Sequence, residues 1–359
     1  MRTPGAPMTI DDLLYSDRPQ LTINIISFED ATVITITWPH TFADAMGMAA
    51  IFKNWIAVLE GREEDVQPLQ GYDADPLAPL GETKPAAPPI LAKWLLQGLP
   101  LLVFVVRFLF DLVWHSKEEA RVVCLPAQFV QGLKREALED LSKVSENRDS
   151  KPFLSDGDVI CAWWSRIVVE ALQPGSKRTV TIFNAFDMRH VLSKDLLPPD
   201  RAFVSNASIA ILTFVSVADL FTKPVSYIAS KVREGISQQR TTEQTQAFAF
   251  LTRDAITKTG RRPVFGDSSM LLVVFSNWCA AKFFEVDLSA AVLKEGLPRN
   301  KRSNELGVPS FVYSDSNMTG FSARNTFPIL GKDAGGNYWI RGSLRRGIWP
   351  VIERSLEAL

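Results

Sequence analysis

Thr35-Ile36-Thr37-Trp38-Pro39-His40-Thr41-Phe42-Ala43-Asp44-Ala45-Met46-Gly47 is the stretch whose reading decides the rest of the chain. Ile34, Ile36 and Trp38 fall on one face of an extended segment and Thr35 and Thr37 on the other. That alternation predicts a strand with one buried face over residues 34–38. Pro39 has no amide hydrogen to give a ladder, so pairing should stop there. Residues 43–60 then carry Met48, Ile51, Phe52, Trp55 and Leu59 at helical spacing, and Gly61 suits the stop. His40 therefore sits at a strand-to-helix junction, where a rigid sheet end can hold an imidazole with little freedom.

Outward from this junction the pattern stays mixed. Residues 21–28 are the candidate partner for the strand, and residues 63–89, polar and rich in proline and acidic side chains, resemble a linker crossing between lobes. Residues 91–114 are apolar and approach transmembrane length, but Lys93, Pro100, Arg107 and Asp111 interrupt them, which favours a buried or interfacial helix over a span. Residues 121–125 should form a strand, and residues 127–144 a helix with Phe129, Leu133, Ala137 and Leu141 on one face. Ser155 and Asp158 form an acidic variant of a capping box ahead of a stripe through Val159, Trp163, Ile167 and Leu172. Residues 179–186 make a strand that runs into Asp187-Met188-Arg189. Pro224 opens a helix with Val225, Ile228, Val232 and Ile236. Residues 270–275, 283–286 and 338–341 read as strands, and Trp349, Ile352 and Leu356 as a terminal helix. Strands and helices without a regular βαβ rhythm indicate an α+β fold with mixed sheets flanked by helices.

Composition narrows the function. At 359 residues and 46% hydrophobic content, the chain can bury a core and enclose a cleft between two lobes. A net charge of -1 argues against a nucleic-acid partner, which needs a basic face. Cys124, Cys161 and Cys279 are far apart and odd in number, so they read as small buried apolar residues in a reducing compartment, not as a zinc or disulfide framework. The first residues hold no apolar signal-peptide core, and a cytoplasmic location is expected. Of the three histidines, His115 reads as a solvated loop residue and His190 as structural, which leaves His40 followed four residues later by Asp44. No G-x-S-x-G elbow, Walker loop, G-x-G-x-x-G or H-E-x-x-H is present, and no cluster of ligands suggests a metal.

The segments TITWPHTFADAMG (35–47), FLSDGDVICAWWSRIVVE (153–170), FNAFDMRHVL (183–192), VVFSNWCAAKFFEVDLSAA (273–291) and GKDAGGNYWIRGSL (331–344) carry a resemblance that spans nearly the whole chain. Together they resemble the BAHD acyltransferase superfamily, in particular its fungal secondary-metabolite branch. The resemblance implies two chloramphenicol-acetyltransferase-like lobes with a solvent channel between them and the histidine at their interface. It assigns residues 1–118 to the remainder of an N-terminal lobe with the crossover linker, and residues 119–359 to the C-terminal lobe. Two departures stand out. His40 comes early, as if a front block of the first lobe were missing, and Asp287-Leu288-Ser289-Ala290-Ala291 replaces the family's D-F-G-W-G.

By this resemblance an acyl group passes from acyl-coenzyme A, a co-substrate and not a resident cofactor, to a hydroxyl or amine of a small-molecule acceptor. His40 would act as general base on the acceptor, with Asp44 turned away to pair with Arg189, and Gly47, Asp187 and Asp287 in architectural parts. No metal is implied. A monomer is expected, with peripheral membrane contact through residues 91–114. Two other readings stay open: a fold relative performing cyclisation or condensation, against which Pro39 stands where a second histidine is usual, and a truncated non-catalytic binding protein. The basic run Arg299-Asn300-Lys301-Arg302 reads as a solvated loop and not as a phosphate contact.

Overall fold

Strand-forming runs from widely separated parts of the chain meet in one mixed sheet, seen in a computed structural model that describes residues 5–144, 151–302, 304–316 and 322–357. A short helix α1 (Asp11–Leu14) precedes the hairpin β1 (Thr22–Ser27) and β2 (Thr32–Thr37), and helix α2 (Ala45–Leu59) follows. Next come β3 (Leu69–Gln70), α3 (Gly98–Trp114), β4 (Glu118–Leu125), α4 (Ala127–Val144) and α5 (Asp156–Leu172). The chain continues with β5 (Thr179–Asp187), β6 (Ala202–Phe203), β7 (Ser208–Ser216), α6 (Val217–Thr222), α7 (Val225–Gln239) and α8 (Thr242–Thr259). It ends with β8 (Leu271–Asn277), β9 (Thr326–Lys332), β10 (Tyr338–Arg345) and α9 (Trp349–Leu356).

The six-stranded sheet runs β4-β10-β9-β8-β5-β7, with β8 parallel to both β5 and β9 and the other neighbours antiparallel. Helices α4, α5, α7 and α9 bury their apolar sides over one face. The central one, α5, is buried on nearly every side, so its apolar content exceeds a single stripe: Trp164, not Trp163, is fully buried and meets Phe327 edge-on at 5.6 Å between ring centroids.

The start of α5 is fastened by charge. Ser155 accepts from the Asp158 amide while Asp158 accepts from the Ser155 amide, the reciprocal cap expected from the sequence. Asp158 is almost fully buried and is compensated by Arg233 of α7, whose Nε donates to it at 2.8 Å. Two residues earlier, Asp156 accepts from the Tyr338 hydroxyl, from Lys134 at 3.0 Å and from Lys332 at 3.2 Å. These bonds knit α5 to β10, α4 and β9.

The opposite face of the sheet is covered by chain that precedes it. Residues 90–96 lie across it, with Trp94 stacked on Phe214 at 4.1 Å between centroids and Leu91 buried beside Leu212 and Phe265. Residues 63–89 do more than bridge: β3 pairs in parallel with β6, and Leu80 is buried with Met188, Leu192 and Phe203. The β1–β2 hairpin forms a separate two-stranded sheet, with Ile23 and Ile25 exposed.

Several expectations need correction. Residues 283–286 form no strand; Lys282 turns the chain at φ 54° and Phe283–Glu285 coil into a 3-10 turn. So short an apolar run has no period to separate strand from turn. Residues 91–114 are not one buried helix: a 3-10 turn (Ile90–Trp94) is followed by α3, which buries none of its residues. Among the described residues no helix is long and apolar enough to cross a membrane. Cys161 is buried, but Cys124 is exposed, because β4 is an edge strand whose alternate side chains leave the core. His115 is no free loop residue: it caps α3, and its Nε2 lies 3.0 Å from Arg345 Nη1.

The Asp156 cluster sets an acid limit on stability. Burial alone would raise this carboxyl, but the bonds from Tyr338, Lys134 and Lys332 hold it down to about 2, against 3.8 unperturbed. Since the folded value lies below the unfolded one, the stabilisation is full above the unfolded value and is lost as pH falls toward 2. Tyr338→Phe should therefore be less stable than the parent above pH 5, with the difference shrinking steadily below pH ~4. Urea unfolding across that range checks this; a difference that does not change with pH would mean Asp156 is not the group involved.

Candidate active site

Strand β2 ends at Thr37, and a tight turn built on Pro39 redirects the chain into α2. The Phe42 amide donates to the Pro39 carbonyl at 2.9 Å, and the Trp38 indole donates to the Ala43 carbonyl at 3.0 Å. Asp44 is the N-cap of α2, accepting from the Gly47 amide at 2.8 Å. An aspartate before an apolar helical run is a preferred cap, so this second role for Asp44 was available from sequence rules.

Arg189, just past the end of β5, closes on the cap. Its Nη2 and Nη1 donate to the two Asp44 carboxylate oxygens at 2.9 and 3.2 Å, and Nη1 also reaches Asp187 at 2.7 Å. The remaining donors meet the Phe203 carbonyl at 3.1 Å and the Ser205 carbonyl at 2.6 Å, with the guanidinium 5.7 Å from the centre of the Phe203 ring. Burial pushes the Asp187 carboxyl above its ordinary value, and Arg189 only partly offsets this.

The segment following β6 completes the frame. The Ala207 amide donates to Asp44 at 2.9 Å, and the Asn206 side chain donates to the His40 carbonyl at 2.7 Å. Gly47 is explained by the same segment: a Cβ at this position would lie 1.7 Å from the Val204 carbonyl oxygen, so only glycine lets α2 approach. No sequence pattern singled out Asn206, Val204 or Ala207; they act through backbone atoms or a lone amide, which carry no motif.

His40 itself is exposed at the turn, and among the described residues no hydrogen bond engages its ring. The structure thus brings together His40, Asp44, Gly47, Asp187 and Arg189. Asp287 is not among them: it is exposed and, among the described residues, accepts from the nearby Ser289 amide and side chain, which holds its carboxyl below the ordinary value. His190 is exposed and contributes its carbonyl to Ser193, and Arg299 of the basic run pairs with Glu305. Among the described residues no group of three or more histidine, cysteine, aspartate or glutamate side chains could hold a metal.

With this geometry in place, the comparisons define the class. The Transferase family matches residues 8–290, and the chain belongs to it, as a BAHD-type acyltransferase. It is 40% identical over 355 residues to the Penicillium decumbens protein named transcriptional regulator calD, covering 99% of this chain and 71% of that protein. It is 39% identical over 363 residues to acetyltransferase sphE of Aspergillus fumigatus, covering 99% of this chain and 70% of that protein. Its fold is similar to the crystal structure of F. sporotrichioides TRI101 complexed with Coenzyme A and T-2, with TM-score 0.65 and 15% identity over 94% of this chain and 68% of that one.

The Arg189 knot generates a stability prediction. Arg189→Ala leaves two poorly solvated carboxylates without their cation and should cost about 3–5 kcal/mol. Arg189→Lys should recover only part of that, since an ammonium cannot span both oxygens of Asp44 and two carbonyls at once. Urea unfolding measures both; losses below about 1 kcal/mol for each would mean the knot is not what holds the motif.

Proposed function

We propose that the protein transfers an acyl group from a coenzyme A thioester to a hydroxyl or amine of a small secondary metabolite, with His40 as general base. The observation that carries this reading is the division of labour in the H-x-x-x-D motif. Asp44 already accepts from Arg189, Gly47 and Ala207, so its carboxylate is occupied by architecture and His40 is left to act alone. An imidazole at an exposed turn, its backbone pinned by Asn206, can accept the acceptor's proton as the nucleophile attacks the thioester carbonyl. The tetrahedral intermediate then collapses with loss of the coenzyme A thiol, without a covalent enzyme intermediate or a resident cofactor. Asp187, Arg189 and Gly47 hold the turn, and Asp287 stabilises its own loop. Residues 1–118 belong to the first lobe and its crossover, and residues 119–359 to the second.

Fungal relatives named acetyltransferase and O-acyltransferase support the reaction class, and TRI101, crystallised with coenzyme A and a toxin, supports the substrate classes. Two relatives are named transcriptional regulators, but a net charge of -1 offers no overall basic face for nucleic acid. The same reading has the enzyme working as a cytoplasmic monomer, with α3 in contact with a membrane surface.

Release of coenzyme A thiol from acetyl-coenzyme A, measured with a panel of alcohol and amine acceptors, tests the role of His40. His40→Ala should lower the rate by ~10²–10⁴-fold at saturating donor while leaving the unfolding midpoint close to that of the parent. Turnover within a factor of about two of the parent would remove His40 from the chemistry.

A further inference from the structure

Helix α3 turns outward the face that an ordinary surface helix hides. Leu99, Leu102, Val106, Leu109, Phe110 and Val113 recur at helical spacing along one stripe, and all are exposed, Leu99 at 70% and Val113 at 78%. Trp114 extends the stripe and stacks on Phe110 at 5.6 Å between ring centroids. The orientation is fixed from below. Arg324, itself nearly buried, donates to the Asp111 carboxylate, to the Asp111 carbonyl at 3.0 Å and to the His115 carbonyl. The C-terminal turn of the helix is thereby fastened to the segment just ahead of β9.

The unpaired charge around this stripe is basic. At its N-terminal end stand Lys93, Arg261 and Arg262, because residues 262–266 run beside residues 93–96: Leu95 bridges Phe265, and the Leu96 amide donates to the Val264 carbonyl at 2.8 Å. At its C-terminal end stands Lys117, whose carbonyl accepts from the Arg346 amide, and Arg107 lies midway. These five basic side chains are exposed, and among the described residues none has an ion-pair partner. The acidic neighbours are already engaged: Asp111 and Glu118 face Arg324, and Glu119 faces Arg346.

A bare aliphatic and aromatic stripe with cations at both ends matches a lipid leaflet with anionic headgroups. The acyl chains take the stripe, the headgroups take the cations, and an interfacial tryptophan sits at one end. At 17 residues the helix is about 25 Å long, short of the ~30 Å hydrocarbon core, and its fastening to Arg324 holds it along the surface of the protein. We infer that α3 is an in-plane anchor that docks the protein on membranes carrying anionic lipid, with Lys93, Arg107, Lys117, Arg261 and Arg262 facing the headgroups. This rests on the membrane-contact reading above and is independent of the role of His40.

Flotation with phosphatidylcholine vesicles, with and without a minority of phosphatidylserine, tests it. Binding to the anionic vesicles should be on the order of tenfold tighter than to the neutral ones, and should weaken as salt is raised. The triple variant Leu102→Glu, Val106→Glu, Leu109→Glu should lose binding to both. Lys93→Glu, Arg261→Glu, Arg262→Glu, which alters only exposed side chains, should lose the anionic preference and keep the residual neutral binding. Circular dichroism of both variants should match the parent. Equal binding to both vesicle types would overturn the anionic inference while leaving membrane contact standing. Absence of binding to either would overturn both. Self-association in sedimentation velocity, abolished by the glutamate triple variant and without vesicle binding, would assign the stripe to a second copy instead.

Discussion

Arg189 joins parts of the chain 145 residues apart, and the placement of the H-x-x-x-D turn depends on that join. Its planar fork is used in full: one edge takes both oxygens of Asp44, and the remaining hydrogens go to Asp187 and to the carbonyls of Phe203 and Ser205. With only 17% of the side chain exposed, the guanidinium has lost most of its water, and each hydrogen bond replaces a lost contact with solvent. Asp44 is matched as tightly, since its two oxygens serve the helix cap, the Ala207 amide and Arg189 together. A charge held by so many donors has no lone pair left over for an imidazole.

That saturation separates structure from chemistry within five residues. The His40 carbonyl is fixed by Asn206 and the following helix by the Asp44 cap and the Gly47–Val204 approach, yet the His40 ring is untouched. The backbone does the orienting, through a short turn between a proline and a helix cap, so the placement of the imidazole comes from the rigidity of the turn.

Much of this was legible in the sequence, for definite reasons. Helical stripes placed α4, α7 and α9, because these helices each bury one face. Period-2 alternation placed β2 but not its burial: the hairpin stands apart from the main sheet, no residue of β2 is buried, and Ile34 is exposed. The Ser155–Asp158 cap was readable because it is local. Sequence periodicity failed where burial was not one-sided. A stripe through Trp163 does not single out Trp164, because α5 is buried on most sides, and the apolar run over residues 91–114 does not reveal where the backbone breaks. At the site, the motif residues could be named, but Phe203, Val204, Ser205, Asn206 and Ala207 could not. Their contribution is largely carbonyls and amides, and backbone groups are the same in every sequence.

A second arginine repeats the logic of the first at the other end of the early chain. Arg324 gathers the carboxylate and carbonyl of Asp111 with the carbonyl of His115, supplying a donor to the His115 carbonyl just past the helix end and a second donor to the Asp111 carbonyl, which already accepts from the His115 amide. Both arginines belong to the body that begins at β4, and Asp44 and Asp111 both precede it. Helix α2 buries Met48 and sets Phe52 edge-on to Phe283, whereas α3 buries no residue and is fastened by its bonds to Arg324. The stretch before β4 is therefore ordered by the sheet that follows it, through directional bonds that fix angle as well as distance. Hydrophobic contact could hold α3 near the surface in several rotations. The Arg324–Asp111 pair selects one, and in doing so it keeps the apolar stripe facing away from the protein.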